Sequence, residues 1–224
     1  MPKTITAAII AIIAAAALFI PSGNPTSAAV DSDPVVFVHG YTSNSAAWDT
    51  MIDRFKADGY ANDQLFAFTY PSNISNTQIA IYVHLVVYIV RWYTGAEQVD
   101  IVAHSMGSLS SRHYLKNYGG DAWVDDWVSL GGPNHGTDLA SICFFLNPCN
   151  EMIPTSPFIT NLNSGDETPG AVNYGTWWSP CDELVIPQTN TILAGATNTQ
   201  TTCLSHGQLR TDLTVYQQVR DFVQ

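Results

Sequence analysis

The sequence V-D-I-V-A-H-S-M-G at residues 99–107 decides the predicted fold. It opens with a short run of valine and isoleucine, which is typical of a strand buried on both faces of a parallel sheet. Ala103 and Gly107 flank Ser105 two residues away on either side, and small residues there permit the sharp turn from strand to helix that exposes a serine hydroxyl. Residues 108–118 suit a helix. The stretch therefore predicts a strand, a turn carrying Ser105 and a helix.

Strand and helix patterns alternate along the rest of the chain. Apolar runs predict further strands at residues 34–38, 64–70, 124–130, 171–177 and 191–196. Helical patterns cover residues 46–58, 75–94 and 208–222. Ser45 is the predicted N-cap of the first of these helices. The alternation predicts an α/β fold with a mainly parallel central sheet and helices on both of its faces.

The stretch at residues 75–94 is rich in β-branched side chains. Its length and its position between two predicted parallel strands nevertheless favour a crossover helix. This helix would be apolar almost all round. Two interpretations stay open: the helix lies within the core, or it keeps an exposed apolar face that contacts lipid or a second copy of the chain.

Residues 1–29 have the pattern of a secretory signal peptide. Lys3 supplies the positive start, residues 7–20 form an uncharged apolar run, and Ala28 and Ala29 offer small residues for cleavage. The run of 14 apolar residues is short for a membrane span. We therefore expect a secreted, extracellular protein without a stable membrane anchor, in which residues 30–224 form one α/β domain.

The chain is acidic, with a formal net charge of −11. Loss of the predicted signal peptide would remove one lysine and no acid, which leaves 7 Lys and Arg against 19 Asp and Glu and a charge of −12. An acidic surface argues against nucleic acid and against anionic membranes as partners.

Four cysteines lie in the predicted mature part. An even number in an exported chain favours two disulfides over a zinc site, and no C-x-x-C spacing is present. Three pairings are possible. We favour Cys143 with Cys149, which closes a short loop, and Cys181 with Cys203, which would join two loops that matter for the chemistry.

The stretch A-H-S-M-G at residues 103–107, together with V-F-V-H-G at 36–40, resembles the α/β-hydrolases and, within them, the small secreted bacterial lipases of class 2. The resemblance covers most of residues 34–222. Ala103 departs from the usual G-x-S-x-G pattern, in which a glycine stands at this position. The resemblance implies the α/β-hydrolase fold and hydrolysis of carboxylic esters by a nucleophilic serine, Ser105.

The resemblance also implies the partners of Ser105. In this fold the serine is followed along the chain by an acid and then by a histidine. Asp182 in S-P-C-D-E-L-V and His206 in C-L-S-H-G-Q-L match the family's acid and base. Glu183 is the rival acid, although the family pattern of an aspartate, one further residue and then Leu-Val favours Asp182. The backbone N–H groups of Tyr41 and Met106 match the donors of the family's oxyanion hole.

The other histidines have less direct roles in this prediction. His104 precedes the serine and is expected to pack against the turn or to form a hydrogen bond there. His39 is expected to support the oxyanion-hole segment. His84 and His113 fall on predicted helices and are interpreted as structural, and His135 as scaffolding of a loop near the active-site edge.

Few residues are free to cover the site. Only 49 residues separate Gly132 from Asp182, and a strand must fit among them, so a large cap domain is excluded. Residues 139–154 predict a small apolar flap at the rim, with Trp177-Trp178 either a second part of that rim or core. The residues after His206 do not resemble the calcium ligands of larger bacterial lipases, and we predict no metal and no other cofactor.

These observations predict a secreted serine ester hydrolase, with triacylglycerol lipase as the preferred activity. Its partner is an acyl ester or lipid, and a lipid–water interface is one place where it would act. Three alternatives stay open: a short-chain carboxylesterase or polyester hydrolase with the same residues, an amidase or peptidase on the same fold, and a non-catalytic surface-binding protein.

Overall fold

The computed structural model describes residues 32–224 and contains a six-stranded parallel sheet in the order β2-β1-β3-β4-β5-β6. The signal peptide predicted over residues 1–29 lies outside the described residues. The strands are β1 (Val35–Val38), β2 (Leu65–Ala67), β3 (Val99–His104), β4 (Val124–Leu130), β5 (Asn173–Trp178) and β6 (Thr197–Gln200). The predicted parallel sheet is therefore confirmed.

The helices are α1 (Asp49–Ala57), α2 (Asn76–Thr94), α3 (Met106–Asn117), α4 (Asn147–Met152), α5 (Pro157–Leu162) and α6 (Leu213–Phe222). They lie on both faces of the sheet, as predicted. Side chains alternate along β1, so that Val36 and Val38 pack with α2 and α3 while Val35 and Phe37 pack with α1 and α6. Two hydrophobic cores result, one on each face.

The stretch rich in β-branched residues forms the crossover helix α2. The Ser75 side chain accepts a hydrogen bond from the Gln78 N–H at the N-terminus, and Gly95 adopts a left-handed φ of 78° just beyond the end. One side of the helix is buried in the core. The opposite side keeps large side chains in solvent, among them Tyr88 (62% exposed) and Trp92 (77% exposed). One face of the helix therefore lies in the core and the other stays exposed, and contact of the exposed face with lipid or a second copy stays a prediction.

Two local predictions are wrong. Asn44, not Ser45, caps the first helical segment, because the chain first forms a 3-10 turn at Ser45–Trp48 and the Asn44 side chain accepts a hydrogen bond from the N–H of Ala46. The final strand runs over Thr197–Gln200 instead of 191–196. Leu193 lies in a loop, but its side chain is buried. Its apolar character therefore resembled that of a strand residue.

Three other predicted boundaries also differ from those in the structure. Strand β2 is shorter than the predicted 64–70, and the final α-helix begins at Leu213, where the Asp212 side chain caps it by accepting hydrogen bonds from the backbone N–H groups of Thr214 and Val215. A short 3-10 helix, Gln208–Arg210, precedes it. Helix α3 begins two residues before the predicted 108.

The connection from β4 to β5 holds three helices of six residues each: a 3-10 helix, Asp138–Cys143, followed by α4 and α5. None is large enough to form a cap domain. The disulfides are Cys143–Cys149 and Cys181–Cys203, the favoured pairing. No helix within residues 32–224 has the length and apolar character needed to cross a membrane.

The structure decides between the two interpretations of Trp177. Its indole is buried on the face of the sheet that α6 covers, where it contacts Phe222 with ring centroids 5.5 Å apart. The indole N–H donates to the Gln218 side chain at 2.9 Å. Trp177 is therefore part of the core.

Candidate active site

Ser105 stands at the turn between β3 and α3. Its φ of 55° and ψ of −133° are uncommon for a residue other than glycine, and the N–H of Ser105 donates to the Leu130 carbonyl at 3.0 Å. A Cβ at Gly107 would overlap the main chain after β1, standing 2.6 Å from the Val38 carbonyl oxygen. The small residue at 107 therefore lets the helix lie close to β1, and the turn holds the Ser105 hydroxyl above the carboxyl end of the sheet.

Asp182 and His206 form a buried pair. His206 Nδ1 lies 2.8 Å from Asp182 Oδ2 and 3.0 Å from Oδ1. The same Oδ1 accepts hydrogen bonds from the backbone N–H groups of Leu184 and Val185, at 2.9 and 3.0 Å. These bonds fix the carboxylate, and the carboxylate in turn fixes the ring with its Nδ1 as the proton-bearing nitrogen.

The loops that carry this pair are joined to each other. The Cys181–Cys203 disulfide links them one residue before Asp182 and three before His206. Ser179, fully buried, donates from its hydroxyl to the Leu204 carbonyl at 2.6 Å and accepts from the Leu204 N–H at 2.9 Å. The sequence analysis missed Ser179, for which no motif gives a signal.

Ser105 and His206 line the same pocket, which has a volume of about 380 Å³. His206 Nε2, on the side of the ring away from Asp182, is buried and hydrogen-bonds no residue within 32–224. One wall is apolar and consists of Leu139, Ala140, Met152, Leu184, Val185 and the Cys143–Cys149 disulfide. The pocket thus presents a hydroxyl, an imidazole and an apolar surface to a bound molecule.

The pocket also has polar lining residues, among them Thr42, Ser43 and Arg210. Burial lowers the pKa of Arg210, and the guanidinium donates to the Ala47 carbonyl at 2.6 Å. The sequence analysis missed Arg210 because nothing in its local pattern distinguishes it from a surface residue.

Tyr41 and Met106 stand next to Ser105. Met106 is the first residue of α3, where a backbone N–H has no acceptor within the helix. Tyr41 follows Gly40 in the loop after β1 and lines the pocket. The two predicted donors are therefore close neighbours of the serine along two different segments.

His39 supports this loop, as the sequence analysis expected. The Tyr70 N–H donates to His39 Nε2 at 3.3 Å, so Nδ1 carries the proton and donates to the Gly40 carbonyl at 2.8 Å. The Tyr70 hydroxyl donates to the carbonyl of His39. Burial lowers the pKa of His39, which keeps the ring neutral. Because the Gly40 carbonyl and the Tyr41 N–H belong to one planar peptide group, holding the carbonyl also orients the N–H.

Two side chains reach the main chain of His206. Glu183 Oε2 accepts a hydrogen bond from the His206 N–H at 2.9 Å, so the rival acid contacts the backbone and not the imidazole. His104 Nε2 donates to the His206 carbonyl at 3.0 Å. Burial, followed by the proximity of His206, lowers the pKa of His104 well below its usual value. His104 is therefore neutral at physiological pH.

The remaining histidines lie outside the pocket lining. His135 pairs with Glu167, with 2.8 Å between Nε2 and Oε1. His113 stacks on Phe158, and His84 contacts the ring of Tyr114. Among residues 32–224, no group of three or more His, Cys, Asp or Glu side chains is arranged to hold a metal ion.

An exposed apolar tip adjoins the pocket. It consists of Ile142 (72% exposed), Phe144 (61%) and Phe145 (73%), and two of its three residues lie inside the loop closed by the Cys143–Cys149 disulfide. Since this disulfide also lines the pocket, the tip is continuous with the apolar wall. Residues 139–154 therefore form the rim that the sequence predicted.

Comparison with known proteins agrees with this architecture. The family model described as Lipase (class 2) matches residues 32–224. The mature form of the Bacillus licheniformis lipase BlEst2 superposes with a TM-score of 0.76 at 19% identity, over 93% of this chain and 98% of that chain. MGS-MChE2, an alpha/beta hydrolase enzyme from a sediment metagenome of the lagoon of Mar Chica, Morocco, superposes with a TM-score of 0.62 at 17% identity, over 86% of this chain and 91% of that chain.

A weaker match links part of the chain to a longer protein. Over 116 residues, or 50% of this chain, it is 28% identical to a probable oxidoreductase, EphD, from Mycobacterium bovis. The match spans only 19% of the length of that protein. The structural neighbours establish the α/β-hydrolase fold, and the family model matches every residue that the structure describes. The chain therefore belongs to the class 2 lipases, a family of carboxylic ester hydrolases.

Proposed function

We propose that the chain is a secreted triacylglycerol lipase in which Ser105 is the nucleophile, His206 the general base and Asp182 the acid that orients the base. The observation that carries the proposal is the buried hydrogen bond between His206 Nδ1 and Asp182, beside Ser105 in one pocket. A serine hydroxyl is a weak nucleophile unless a base accepts its proton, and the carboxylate keeps that base in the tautomer whose Nε2 is free to do so.

The reaction proceeds through an acyl-enzyme. His206 Nε2 accepts the hydroxyl proton as the Ser105 oxygen attacks the acyl carbonyl. The tetrahedral intermediate collapses when His206 gives the proton to the departing alcohol. Water then attacks the acyl-enzyme with the help of the same base, and the carboxylic acid leaves.

The backbone N–H groups of Tyr41 and Met106 would bind the oxyanion of each tetrahedral intermediate. Both belong to segments that pack against Ser105, and Met106 lies at the positive end of the α3 dipole. The His39 ring, which holds the Gly40 carbonyl, keeps the Tyr41 donor pointing in one direction. Loss of one such donor typically lowers kcat by a factor of about 100 to 1,000.

Long acyl chains and a lipid surface are the substrate that fits the apolar features. The apolar wall of the pocket can receive an acyl chain, and the tip formed by Ile142, Phe144 and Phe145 continues that wall into solvent. Leu184, which belongs to the apolar wall, and Ile186, two residues further along the chain, are also partly exposed. Exposed apolar patches of this kind commonly mark a binding surface.

Export is supported by two observations. The first is the signal-peptide pattern of residues 1–29, and the second is the pair of disulfides, which form and persist in oxidising compartments. The mature enzyme would act on extracellular esters, and its acidic surface would disfavour anionic membranes.

Hydrolysis of p-nitrophenyl esters and labelling by a fluorophosphonate test the assignment. Ser105→Ala is expected to abolish both while leaving the melting temperature close to that of the wild type. A Ser105→Ala variant that keeps its esterase activity would overturn the proposal. Rates on butyrate and oleate esters, with and without an emulsion, decide the substrate: activity confined to short soluble esters would indicate a carboxylesterase, and cleavage of casein or anilides a peptidase or amidase.

A further inference from the structure

We propose that Glu183 and His104 are positioning residues that hold the main chain of His206 from its two sides and thereby place the catalytic base. The proposal rests on the roles of Ser105, Asp182 and His206 given above. It assigns a purpose to two residues that contact neither the Asp182 carboxylate nor the serine hydroxyl.

Both hydrogen bonds involve the main chain of His206, the proposed base. The His206 N–H donates to Glu183 Oε2 at 2.9 Å, and the His206 carbonyl accepts from His104 Nε2 at 3.0 Å. Glu183 directly follows Asp182 in the chain, and His104 directly precedes Ser105. The main chain of the base is therefore tied to the segment of the acid on one side and to the segment of the nucleophile on the other.

His206 needs this support because it lies in a loop. The described residues on either side of it, from 201 to 207, form no helix or strand. The bond from Nδ1 to Asp182 fixes the orientation of the ring, but the position of the ring depends on the backbone that carries it. Misplacement of a catalytic group by about 1 Å can lower a rate by about 100-fold. Two bonds to the peptide groups of His206 restrict such displacement.

The charge states of Glu183 and His104 suit the proposed positioning role. Around His206 stand the carboxylates of Asp182 and Glu183, the imidazole of His104 and the guanidinium of Arg210. The ring centroids of His104 and His206 are 4.5 Å apart. A neutral His104 donates its hydrogen bond without adding positive charge beside the imidazolium that forms during the reaction. Glu183 adds a negative charge that favours this imidazolium.

Substitutions at position 183 separate the two contributions. Glu183→Gln keeps an oxygen acceptor for the His206 N–H and removes the charge, whereas Glu183→Ala removes both. On a soluble p-nitrophenyl ester we expect kcat of Glu183→Ala to fall about 10-fold with little change in KM, and kcat of Glu183→Gln to fall less. In both variants the acidic limb of the pH profile of kcat/KM should move to lower pH, because a negative charge beside the base is lost.

Two substitutions at position 104 provide a second, independent test. His104→Gln keeps an N–H donor, and His104→Phe keeps a ring but no donor. We expect His104→Gln to retain more kcat than His104→Phe. A merely structural role would lower the melting temperature of both variants without this order in kcat at a temperature where both are folded.

Gln208→Ala is the matched control. The Gln208 side chain accepts a hydrogen bond from the Ser205 N–H at 2.7 Å, so the control removes the same kind of bond from the same loop without touching His206. We expect its kcat and its acidic limb to match the wild type. The proposal is overturned if Glu183→Ala keeps wild-type kcat and pH profile, or if Gln208→Ala changes them equally. Should Glu183→Ala not fold, the acidic limb of Glu183→Gln decides. Failure of the catalytic assignment itself is recognised separately, because Ser105→Ala would then remain active.

Discussion

Gly40 lies directly against Ser105: a Cβ placed at position 40 would come within 2.8 Å of the Ser105 Cβ and 3.3 Å of its Oγ. Real side chains do not approach so closely, so only glycine allows the loop after β1 to pass the serine at this distance. The same loop carries Tyr41. The close approach of residues 40 and 105 thus brings a predicted oxyanion donor to the nucleophile.

Gly40→Ala should therefore damage activity more than stability. The added methyl group must displace either the Tyr41 loop or Ser105, and we expect kcat/KM for p-nitrophenyl esters to fall by about 10- to 100-fold. Overpacking of this kind typically costs about 1 to 3 kcal/mol of unfolding free energy. Kinetics and urea unfolding measure the two effects. Wild-type kcat/KM in a folded Gly40→Ala variant would contradict the proposed placement of Tyr41.

The candidate site residues could be named from the sequence for two reasons. Ser105 follows an apolar strand and lies between two small residues, and Asp182 and His206 occupy positions that match the family's order of acid and base. The structure brings Asp182 and His206 together at 2.8 Å. The local pattern around Ser105 reports the backbone geometry that the turn requires, whereas the acid and the base were assigned from the family resemblance.

The supporting contacts could not be predicted because they join residues that are distant in the chain and ordinary in type. Glu183 reaches the backbone of His206, 23 residues away, through one carboxylate oxygen. Strand β6 was misplaced for a related reason: it is an edge strand of threonine, asparagine and glutamine, and no apolar alternation marks it. The Glu183 contact and the position of β6 depend on interactions between distant segments, which a single sequence does not display.

Removal of the Cys181–Cys203 disulfide should lower both stability and the temperature at which activity is lost. The bridge closes a loop of 22 residues, and such a loop contributes about 3 kcal/mol. For a domain of this size that corresponds to a fall in melting temperature of roughly 6 to 12 °C. Because Ser179 still joins the two loops, we expect kcat of the Cys181→Ala/Cys203→Ala variant at 25 °C to fall only several-fold.

The Cys143→Ala/Cys149→Ala variant provides the comparison. This bridge closes only a six-residue interval and lines the acyl side of the pocket. Its loss should therefore cost less stability and should alter KM and acyl-chain preference more than the acid–base step. Equal effects of the two double variants on kcat would argue against a role for Cys181–Cys203 in holding the loops of Asp182 and His206 together. Calorimetry and steady-state kinetics on both variants make the test.

The contribution of Asp126 and Asp100 to stability should fall as pH rises, because both carboxyl groups are buried near the amino-terminal ends of β4 and β3. Burial raises the pKa of Asp126 to about 6, and burial together with Asp126 raises the pKa of Asp100 well above its usual value. These groups bind their protons more tightly in the folded chain than in the unfolded chain. The stability that Asp126 provides in this way is present below about pH 4 and is lost as pH rises through its folded pKa of about 6.

Asp126→Asn tests this linkage. The variant keeps the oxygen that accepts the hydrogen bond from the Asn173 side chain, at 2.9 Å, but it cannot ionise. We expect it to be more stable than the wild type by about 1 to 2 kcal/mol at pH 8, allowing for partial solvent screening, and equally stable near pH 4. Asp53→Asn, an equal charge change at an exposed position of α1, is the control. A gain at pH 8 that persists at pH 4, or that Asp53→Asn reproduces, would contradict the linkage.

Serine substitutions at the apolar tip should separate action at a lipid surface from action in solution. Phe144 and Phe145 protrude beside the pocket mouth, and transfer of one such side chain from water to an apolar phase is worth about 1.5 to 3 kcal/mol. Phe144→Ser/Phe145→Ser is therefore expected to lose at least about 10-fold in its rate on a triolein emulsion and in its binding to neutral-lipid droplets. Its kcat/KM on a water-soluble acetate ester should stay within about two-fold of the wild type, because neither side chain lines the pocket.

Tyr88→Ser/Trp92→Ser supplies a control of the same kind, because it removes two exposed aromatic side chains from the outer side of α2 instead of the pocket rim. If the rim is the surface that meets the lipid, this variant keeps the wild-type rate on the emulsion. If it loses the emulsion rate while Phe144→Ser/Phe145→Ser keeps it, the lipid-facing surface is α2, and the substrate must reach Ser105 from a surface that does not include the tip. If neither variant loses rate on the emulsion relative to the soluble ester, neither the tip nor the outer side of α2 is the surface that meets the lipid, and the rates on butyrate and oleate esters decide between lipase and carboxylesterase.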